Sequence, residues 1–195
     1  MQFVVPLPVE VTKLGPRAVA KTARELLLAT AHINVLILQA YPWDPDTGKG
    51  IPPLYVLGRQ GRMRWKNEPW AGQPQMLLGR FEGIEEFATI PTVIKRGWGD
   101  CDDLSPWKVA ALWLGIGDFG ERIKPQPKAD IRVKWNPDLT LYHIQVRDGR
   151  GRELDPSKWL GMPTAENPTG KIGVVGGGLS TRKPPNKRWW RRLAA

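Results

Sequence analysis

The sequence predicts a domain of the α+β class, and three patterns carry that prediction. A long apolar helical pattern follows Gly15, and a second one follows the glycine-rich stretch at residues 97–99. Residues 140–147 alternate apolar and polar side chains as in a half-buried strand, and turn residues separate them from a returning strand at residues 152–155. Because a short turn joins antiparallel neighbours, we expect helices packed on an antiparallel sheet.

The composition allows one sizeable core. Of the 195 residues, 41% are hydrophobic, which suffices for one domain with tails. The single cysteine excludes an intrachain disulfide framework. The sequence has no charged-then-apolar leader and no apolar run of membrane-spanning length, so we expect no signal peptide, no transmembrane segment and a protein that is cytoplasmic when made. A protein incorporated in a virion would share these features.

Changes in composition divide the chain into three parts. Residues 1–14 alternate apolar residues with prolines and are expected to form an extended N-terminal arm or an edge strand. Residues 15–161 contain the predicted domain. Residues 162–195 begin as a linker rich in glycine and proline and end in a basic tail that bears tryptophan.

The first helix of the domain opens at Pro16, because proline is favoured at the first helical position. Its apolar face consists of Val19, Ala23, Leu26, Leu27, Thr30, Ile33 and Ile37. Residues 33–40 are apolar nearly all round, which predicts that this end is buried. We further expect a hairpin of residues 54–57 against 62–65 and a short helix over residues 84–95.

Tryptophans are frequent in the stretch rich in proline and glycine that follows the first helix. Trp43, Trp65 and Trp70 either line a groove beside the cysteine or pack a region that lacks regular structure. The sequence leaves both interpretations open.

The only cysteine lies where a glycine-rich loop meets a helix. Cys101 follows Gly-Trp-Gly-Asp and precedes Asp-Asp-Leu-Ser. Apolar residues at i, i+3, i+4 and i+7 then form one helix face: Trp107, Ala110, Ala111 and Leu114. Unpaired N–H groups and the dipole at a helix start favour the thiolate, which is the nucleophilic form. A lone cysteine is more often an inert core residue, so Cys101 needs a partner base to act as a nucleophile.

Two histidines can supply that base. His32 lies within the first apolar helix and is expected to be a packed or capped side chain. His143 lies on the alternating strand. A three-residue loop centred on Gly149 would place His143 directly opposite Asp155, where the carboxylate can accept a hydrogen bond from the ring. A two-residue loop would shift the pairing by one and separate the two side chains.

These motifs resemble the transglutaminase-like branch of the papain-like cysteine proteins. The resemblance rests on Gly-Asp-Cys-Asp-Asp-Leu-Ser before a helix, a histidine on a strand and Leu-Asp-Pro after a hairpin, and it covers residues 84–159. It implies a papain-like fold, in which N-terminal helices precede a catalytic helix packed on an antiparallel sheet. It also implies that Cys101 is the nucleophile, His143 the general base and acid, and Asp155 the group that holds the imidazole. The Cys101 N–H would hold the oxyanion together with a second donor, for which the indole N–H of Trp98 is a candidate.

Pro106 departs from this pattern. A helix that starts at Cys101 would lose a backbone hydrogen bond at Pro106, whereas a helix that starts near Asp103 would carry the proline in its first turn. The later start would move Cys101 off the helix end and weaken its activation.

The tail at residues 181–195 carries six of the cations in a chain of net charge +10 and has no acid. These cations are Arg182, Lys183, Lys187, Arg188, Arg191 and Arg192. Such a tail can bind the phosphates of a nucleic acid, enter a membrane interface, dock in an acidic groove of a partner or serve only as a solubilising tail.

Two functions of different class fit the sequence. The first is a cysteine acyl-transfer enzyme that hydrolyses an amide of a peptide, protein or peptidoglycan substrate through a Cys101 thioester, a reaction that the resemblance favours over crosslinking. It would need no cofactor, and no Cys/His cluster has the spacing of metal ligands. The second is a structural or assembly protein of a tailed-phage particle, with an idle papain-like fold that docks on other virion proteins through its N-terminal arm and basic tail.

Overall fold

The computed structural model describes residues 2–6, 15–67, 75–77, 80–82, 84–135, 137, 142–165 and 167–172. Its helices are α1 (Pro16–Ala40), α2 (Leu54–Arg59), α3 (Ile90–Arg96), α4 (Cys101–Trp113) and α5 (Pro156–Trp159). Its strands are β1 (Gln2–Pro6), β2 (Arg64–Trp65), β3 (Gln75–Leu77), β4 (Arg80–Glu82), β5 (Ile84–Ala88), β6 (Trp98–Gly99), β7 (Asp130–Trp135), β8 (Tyr142–Arg147) and β9 (Glu153–Leu154). The fold is therefore mixed helix and sheet, of the α+β class.

The described strands form one three-stranded sheet and three two-stranded ones. β7, β8 and β9 lie side by side and pair antiparallel. β1 pairs antiparallel with β5, β3 pairs antiparallel with β4, and β2 pairs parallel with β6. Part of the predicted N-terminal arm is thus a strand that pairs with the domain, whereas the cations of the basic tail lie outside the described residues.

Helix α1 begins at Pro16, with Gly15 as its N-cap, as the sequence predicts. One side of this helix is buried along its whole length: Val19, Ala23, Leu27, Thr30, Ala31, Asn34 and Leu38. The prediction that its last turns are buried is wrong for Leu36, which is 67% exposed. The buried side recurs every three to four residues, and Leu36 falls between two of its members. No helix in the described part of the chain is both long and apolar enough to cross a bilayer.

Helix α4 lies at the centre of the molecule. Its buried residues run almost without interruption from Asp102 to Ala110, so the predicted single face understates its burial. One side packs with α1, α2, α3 and α5 in a cluster that includes Leu104 and Trp107. The other side packs on the three-stranded sheet in a cluster that includes Val109, Leu112, Ile144 and Val146. A helix buried on both sides holds its first residue in a fixed position relative to the sheet.

Two expected elements are wrong. Residues 54–59 form helix α2 rather than a strand, because the run from Leu54 to Gly58 is buried on every side and a short apolar run does not distinguish helix from strand. Gly58 allows this packing, since a Cβ there would lie 2.4 Å from a methyl carbon of Leu160. Residues 84–88 form strand β5, and the helix starts only at Ile90, where Pro91 fits its first turn.

Candidate active site

Helix α4 begins at Cys101, two residues earlier than a start near Asp103 would give. Asp100 is the N-cap and forms a capping box with Asp103, whose carboxylate accepts a hydrogen bond from the Asp100 N–H at 3.4 Å. Pro106 lies inside the helix and has no N–H to donate to the Asp102 carbonyl. Cys101 is half-buried at the first helical position, where the unpaired N–H groups of the helix start favour a thiolate.

Asp103 fixes the start of the helix to the rest of the core. Its side chain is fully buried, accepts a hydrogen bond from the Ala88 N–H at 2.9 Å and forms an ion pair with Arg96. Arg96 in turn donates from Nε to the Trp98 carbonyl at 2.8 Å. The loop before Cys101 is therefore tied to the helix that follows it.

One turn after the cysteine, Ser105 ties α4 to strand β8. The Ser105 hydroxyl donates to the Ile144 carbonyl at 3.2 Å, and both residues are buried. Cys101 also packs against the cluster that contains Ile144. The structure therefore brings the first turn of α4 against the strand that carries His143.

His143 and Asp155 are in direct contact. The Nε2 atom of His143 lies 2.8 Å from Oδ2 of Asp155, and the same oxygen accepts a hydrogen bond from Nε2 of Gln145 at 2.9 Å. Because a carboxylate only accepts, Nε2 of His143 is the donor, and in the neutral form of the ring Nδ1 then has the lone pair that can act as a base. Gln145 was missed in the sequence, although it shares the strand face of His143 two residues further on.

The predicted hairpin register is wrong: the returning strand is shifted by two residues along β8. The structure pairs Val146 with Leu154, so Asp155 falls opposite Gln145 and reaches His143 diagonally. The loop has the expected three residues but is centred on Arg150. Gly151 has a φ of 85°, the left-handed conformation that ends such a loop, and this conformation determines the register.

Asp155 is held from several sides. Burial raises its pKa, but the hydrogen bond and the charge of His143, together with the hydrogen bonds from Gln145 and the Lys158 N–H, hold the pKa of Asp155 below its usual range. Oδ1 of Asp155 accepts from the Lys158 N–H at 3.1 Å and caps α5. The carboxylate is therefore ionised near neutral pH and oriented toward His143.

Trp98 lies two residues before the N-cap, and two cations contact its ring. The guanidinium carbon of Arg96 is 4.1 Å and the Nζ of Lys66 is 5.1 Å from the ring centroid. The tryptophan is thus held next to the cysteine loop. Its role as an oxyanion donor stays a prediction.

Three carboxylates surround the cysteine in the sequence. Oxygens of Asp100, Asp102 and Asp103 lie within 4.8 Å of one another, a spacing that a hard cation can bridge. Arg96 and the Ala88 N–H already occupy the Asp103 carboxylate, so we assign no metal to the cluster. Burial raises the pKa of Asp100, although its hydrogen bond with Asp102 and the charge of Arg96 oppose this shift.

A pocket of about 420 Å3 lies at the other half of α4 rather than at Cys101. It is lined mainly by apolar residues, among them Trp43, Tyr55 and Trp107. Lys108 and Asp118 form an ion pair at its wall. Burial and the charges of Asp118 and Asp155 raise the pKa of Tyr55 well above its usual value.

The other tryptophans that the sequence singles out and the second histidine make contacts of their own. Trp65 packs against the core and pairs with Gly99, and Trp70 lies outside the described residues. Nδ1 of His32 donates a hydrogen bond to the Leu28 carbonyl of its own helix at 2.8 Å, because a carbonyl oxygen only accepts. Its ring lies 4.7 Å from that of Trp113 between centroids, but His32 is exposed, so the expectation of a packed side chain holds only for this one contact.

No protein-family model matches this chain, and no curated protein or solved structure is significantly similar to it. Its function therefore has to be argued from the site itself.

Proposed function

We propose that the chain is a cysteine acyl-transfer enzyme of transglutaminase-like type that hydrolyses an amide of a peptide, protein or peptidoglycan. The observation that carries the proposal is the contact of 2.8 Å between Asp155 and His143. His143 lies on β8, the strand against which the first turns of α4 pack. The order Cys, His, Asp along the chain and the Gly-Asp-Cys-Asp-Asp-Leu-Ser motif support the same assignment. A papain-like fold is part of this proposal.

In the first half-reaction, Nδ1 of His143 takes the thiol proton and the Cys101 sulfur attacks the carbonyl carbon of the substrate amide. The carbonyl oxygen becomes an oxyanion, for which the backbone N–H of Cys101 is one donor and Trp98 remains the candidate for a second. His143 then returns the proton to the amide nitrogen, the C–N bond breaks and an amine leaves. The acyl group stays on sulfur as a thioester.

In the second half-reaction, His143 removes a proton from water, which attacks the thioester carbonyl. The C–S bond breaks, the sulfur regains a proton and a carboxylic acid is released. Asp155 stabilises the imidazolium that forms in both halves and keeps Nδ1 directed away from itself. Gln145 keeps the Asp155 carboxylate in position through its amide.

The test is acylation by an activated ester. We expect p-nitrophenyl acetate to release a burst of nitrophenol that matches the protein concentration and to leave an acetyl group on Cys101, identified by peptide mass spectrometry. Cys101→Ala should abolish the burst, and His143→Ala should slow it at least about 100-fold. Lys124→Ala, an exposed change beyond the other end of α4, is the control and should leave it unaltered.

The alternative is an assembly protein whose triad residues do no chemistry. It predicts no burst and a thiol that reacts slowly in the folded protein. Both termini through which such a protein would dock lie mainly outside the described residues, so no described contact favours it over the enzyme.

A further inference from the structure

A row of exposed cations leads to the cysteine loop. We call Arg62, Arg64, Lys66 and Lys95 the basic strip; all four side chains are exposed. Strand β2 covers Arg64 and Trp65, and burial alternates through it, so that Met63 is buried and Trp65 half-buried while Arg64 and Lys66 are exposed; Arg62 lies in the bend before the strand. This alternation places the cations on one side of the strand.

The backbone hydrogen bonds fix this strand against the loop that precedes Cys101. Arg64 donates its N–H to the Gly97 carbonyl at 3.3 Å, and Lys66 donates to the Gly99 carbonyl at 3.1 Å. Paired strands lie about 4.8 Å apart, so the last cation of the strip is next to the start of α4. Lys95 at the end of α3 adds a fourth charge to the same region.

The strip is not neutralised by the described residues. None of its four cations forms an ion pair with a described carboxylate. Three acids follow β6 in the sequence, and all three are buried: Asp100, Asp102 and Asp103. Asp103 is paired with Arg96. Among the described residues, the exposed charges of the strip are therefore positive and have no carboxylate partner.

From these positive charges we infer that the substrate is acidic, namely an extended peptide segment with carboxylates at alternate positions. This inference rests on the proposed function and names the substrate class of that site. Side chains two apart in an extended chain repeat about every 6.6–6.8 Å, which is the spacing expected of Arg64 and Lys66. The proposal places the scissile amide of a bound acidic peptide at the start of α4, since Lys66 donates its N–H to the carbonyl of Gly99, two residues before Cys101.

The strip fits a peptide better than a nucleic acid. Single-stranded nucleic acids need exposed aromatic faces on which bases stack. Lys66 of the strip and the neighbouring Arg96 already contact the ring of Trp98, and Trp65 packs against the core. The nucleophile beside the strip attacks a carbonyl carbon, which a peptide provides.

The first test compares two alkylating reagents on Cys101 in the full chain at low ionic strength. Both anionic iodoacetate and neutral iodoacetamide attack the same thiolate, so the ratio of their rates cancels any change in the thiolate fraction. We expect this ratio to exceed that of glutathione at least about threefold, because a positive field concentrates the anion, and to fall as salt is added. Arg64→Glu/Lys66→Glu should lower the ratio below that of glutathione.

The matched control reverses two cations beyond the far end of α4. Lys124→Glu/Lys128→Glu makes the same change in net charge, but the helix of 13 residues separates it from Cys101. At 1.5 Å per residue this is about 19 Å, more than a Debye length at 0.1 M salt. The control should keep the wild-type ratio of alkylation rates. An equal fall of this ratio in both double variants would overturn the inference that the basic strip acts on Cys101.

The second test is peptide binding to the Cys101→Ala chain by fluorescence anisotropy. A labelled peptide that alternates Glu and Thr should bind, its Gln counterpart should bind at least about tenfold more weakly, and Arg64→Glu/Lys66→Glu should remove the difference. Equal binding of both peptides, or tighter binding of a single-stranded oligonucleotide than of the Glu peptide, would overturn the inference. Because neither test needs turnover, failure of the ester burst with a positive strip result would refute the proposed function alone.

Discussion

The two ends of helix α4 differ in what they offer to a ligand. At its first turn, Cys101 is half-buried and packs against the cluster that contains Ile144 of β8, the strand that also carries His143, and the His143 ring contacts Asp155 at the start of α5. The second half of α4 lines a pocket of about 420 Å3 with mainly apolar walls. The difference teaches that this pocket and the proposed nucleophile lie at different halves of one helix. Hydrogen bonds and an ion pair fix the start of α4 at Cys101, whereas the pocket lies along its second half.

Each half of α4 has an ion pair beside it, and the two pairs differ in how far the acid is exposed to solvent. The Asp103 side chain is 0% exposed beside Arg96, whereas Asp118 is 23% exposed beside Lys108. A buried acid that loses its cation has no access to water, whereas an acid at a pocket wall can turn toward it. Removing the cation of the pair near the cysteine should therefore destabilise the fold more than removing the cation of the pair at the pocket.

The largest effect should come from removing Arg96. Arg96→Met leaves the Asp103 charge buried and uncompensated and should lower the free energy of unfolding by about 3–5 kcal/mol. Lys108→Met should cost about 1–2 kcal/mol, since Asp118 stays partly solvated. Arg24→Met, which breaks an exposed pair with Asp130, is the control at less than about 1 kcal/mol. Urea unfolding measures all three, and a larger loss at Lys108 than at Arg96 would reverse the comparison.

The next effect is on activity. Asp155→Asn should slow ester acylation at least about 100-fold, because the imidazole loses its orienting carboxylate and its charge partner. Trp43→Ala, at the pocket, should change the rate less than about threefold, since the pocket is not part of the proposed chemistry. The comparison of initial rates at fixed protein concentration tests this, and equal losses would place the pocket in the active site.

A smaller effect should come from the loop that determines the register of Asp155. Gly151→Ala should cost about 1–2 kcal/mol, because the residue has a φ of 85°. Gly149→Ala is the comparison: Gly149 is not among the glycines with positive φ, so we expect a smaller loss there, although its Cβ would lie 3.1 Å from a carbon of Gln126. Thermal unfolding of the pair decides whether Gly151 or Gly149 controls the loop.

The smallest effect is a gain in stability. Asp100→Asn keeps an N-cap of equal quality but removes a buried carboxylate whose pKa is raised by burial. An acid with a raised pKa in the fold binds more protons folded than unfolded, so its ionisation destabilises the protein as pH rises above about 4. The variant should therefore unfold at a higher temperature than wild type at pH 7, and this advantage should shrink toward pH 4. A loss of stability at pH 7 would contradict the raised pKa.

Asp155 has the opposite pH dependence. Its pKa is lowered in the fold, so its contribution to stability is present above about pH 4 and is lost as the pH falls through its folded pKa. Asp155→Asn retains the cap of α5 and should cost stability mainly at neutral pH. Thermal unfolding at pH 7 and pH 3 should show the difference from wild type narrowing at pH 3, and a constant difference would refute the ionic contact.

The sequence predicts the local chemistry of the site better than its geometry. The strand of His143 and the proline-ended return to Asp155 follow from alternation and turn residues, which are local signals. The register was predicted wrongly because it depends on which of Gly149 and Gly151 takes the left-handed conformation, and composition does not distinguish them. The basic strip was overlooked because residues 62–65 were expected in a hairpin, although the alternation Arg-Met-Arg-Trp-Lys is visible in the sequence.

The pocket could not be predicted, because its walls come from distant parts of the chain. Trp43 and Trp107 meet there only after α1, α2 and α4 have packed. The choice between helix and strand at residues 54–59 likewise depends on burial from all sides. Tertiary packing, which no short window of sequence contains, determines both.

The most direct test of the central claim is the rate at which iodoacetamide alkylates Cys101 at pH 7 in the folded protein. We predict that the wild-type thiol reacts at least about tenfold faster than glutathione in the same buffer, and that His143→Ala, with an unchanged circular dichroism spectrum, slows it at least about fivefold. A wild-type rate at or below that of glutathione, or a rate that His143→Ala leaves unaltered, would contradict the account and make Cys101 a packing residue of the helix start.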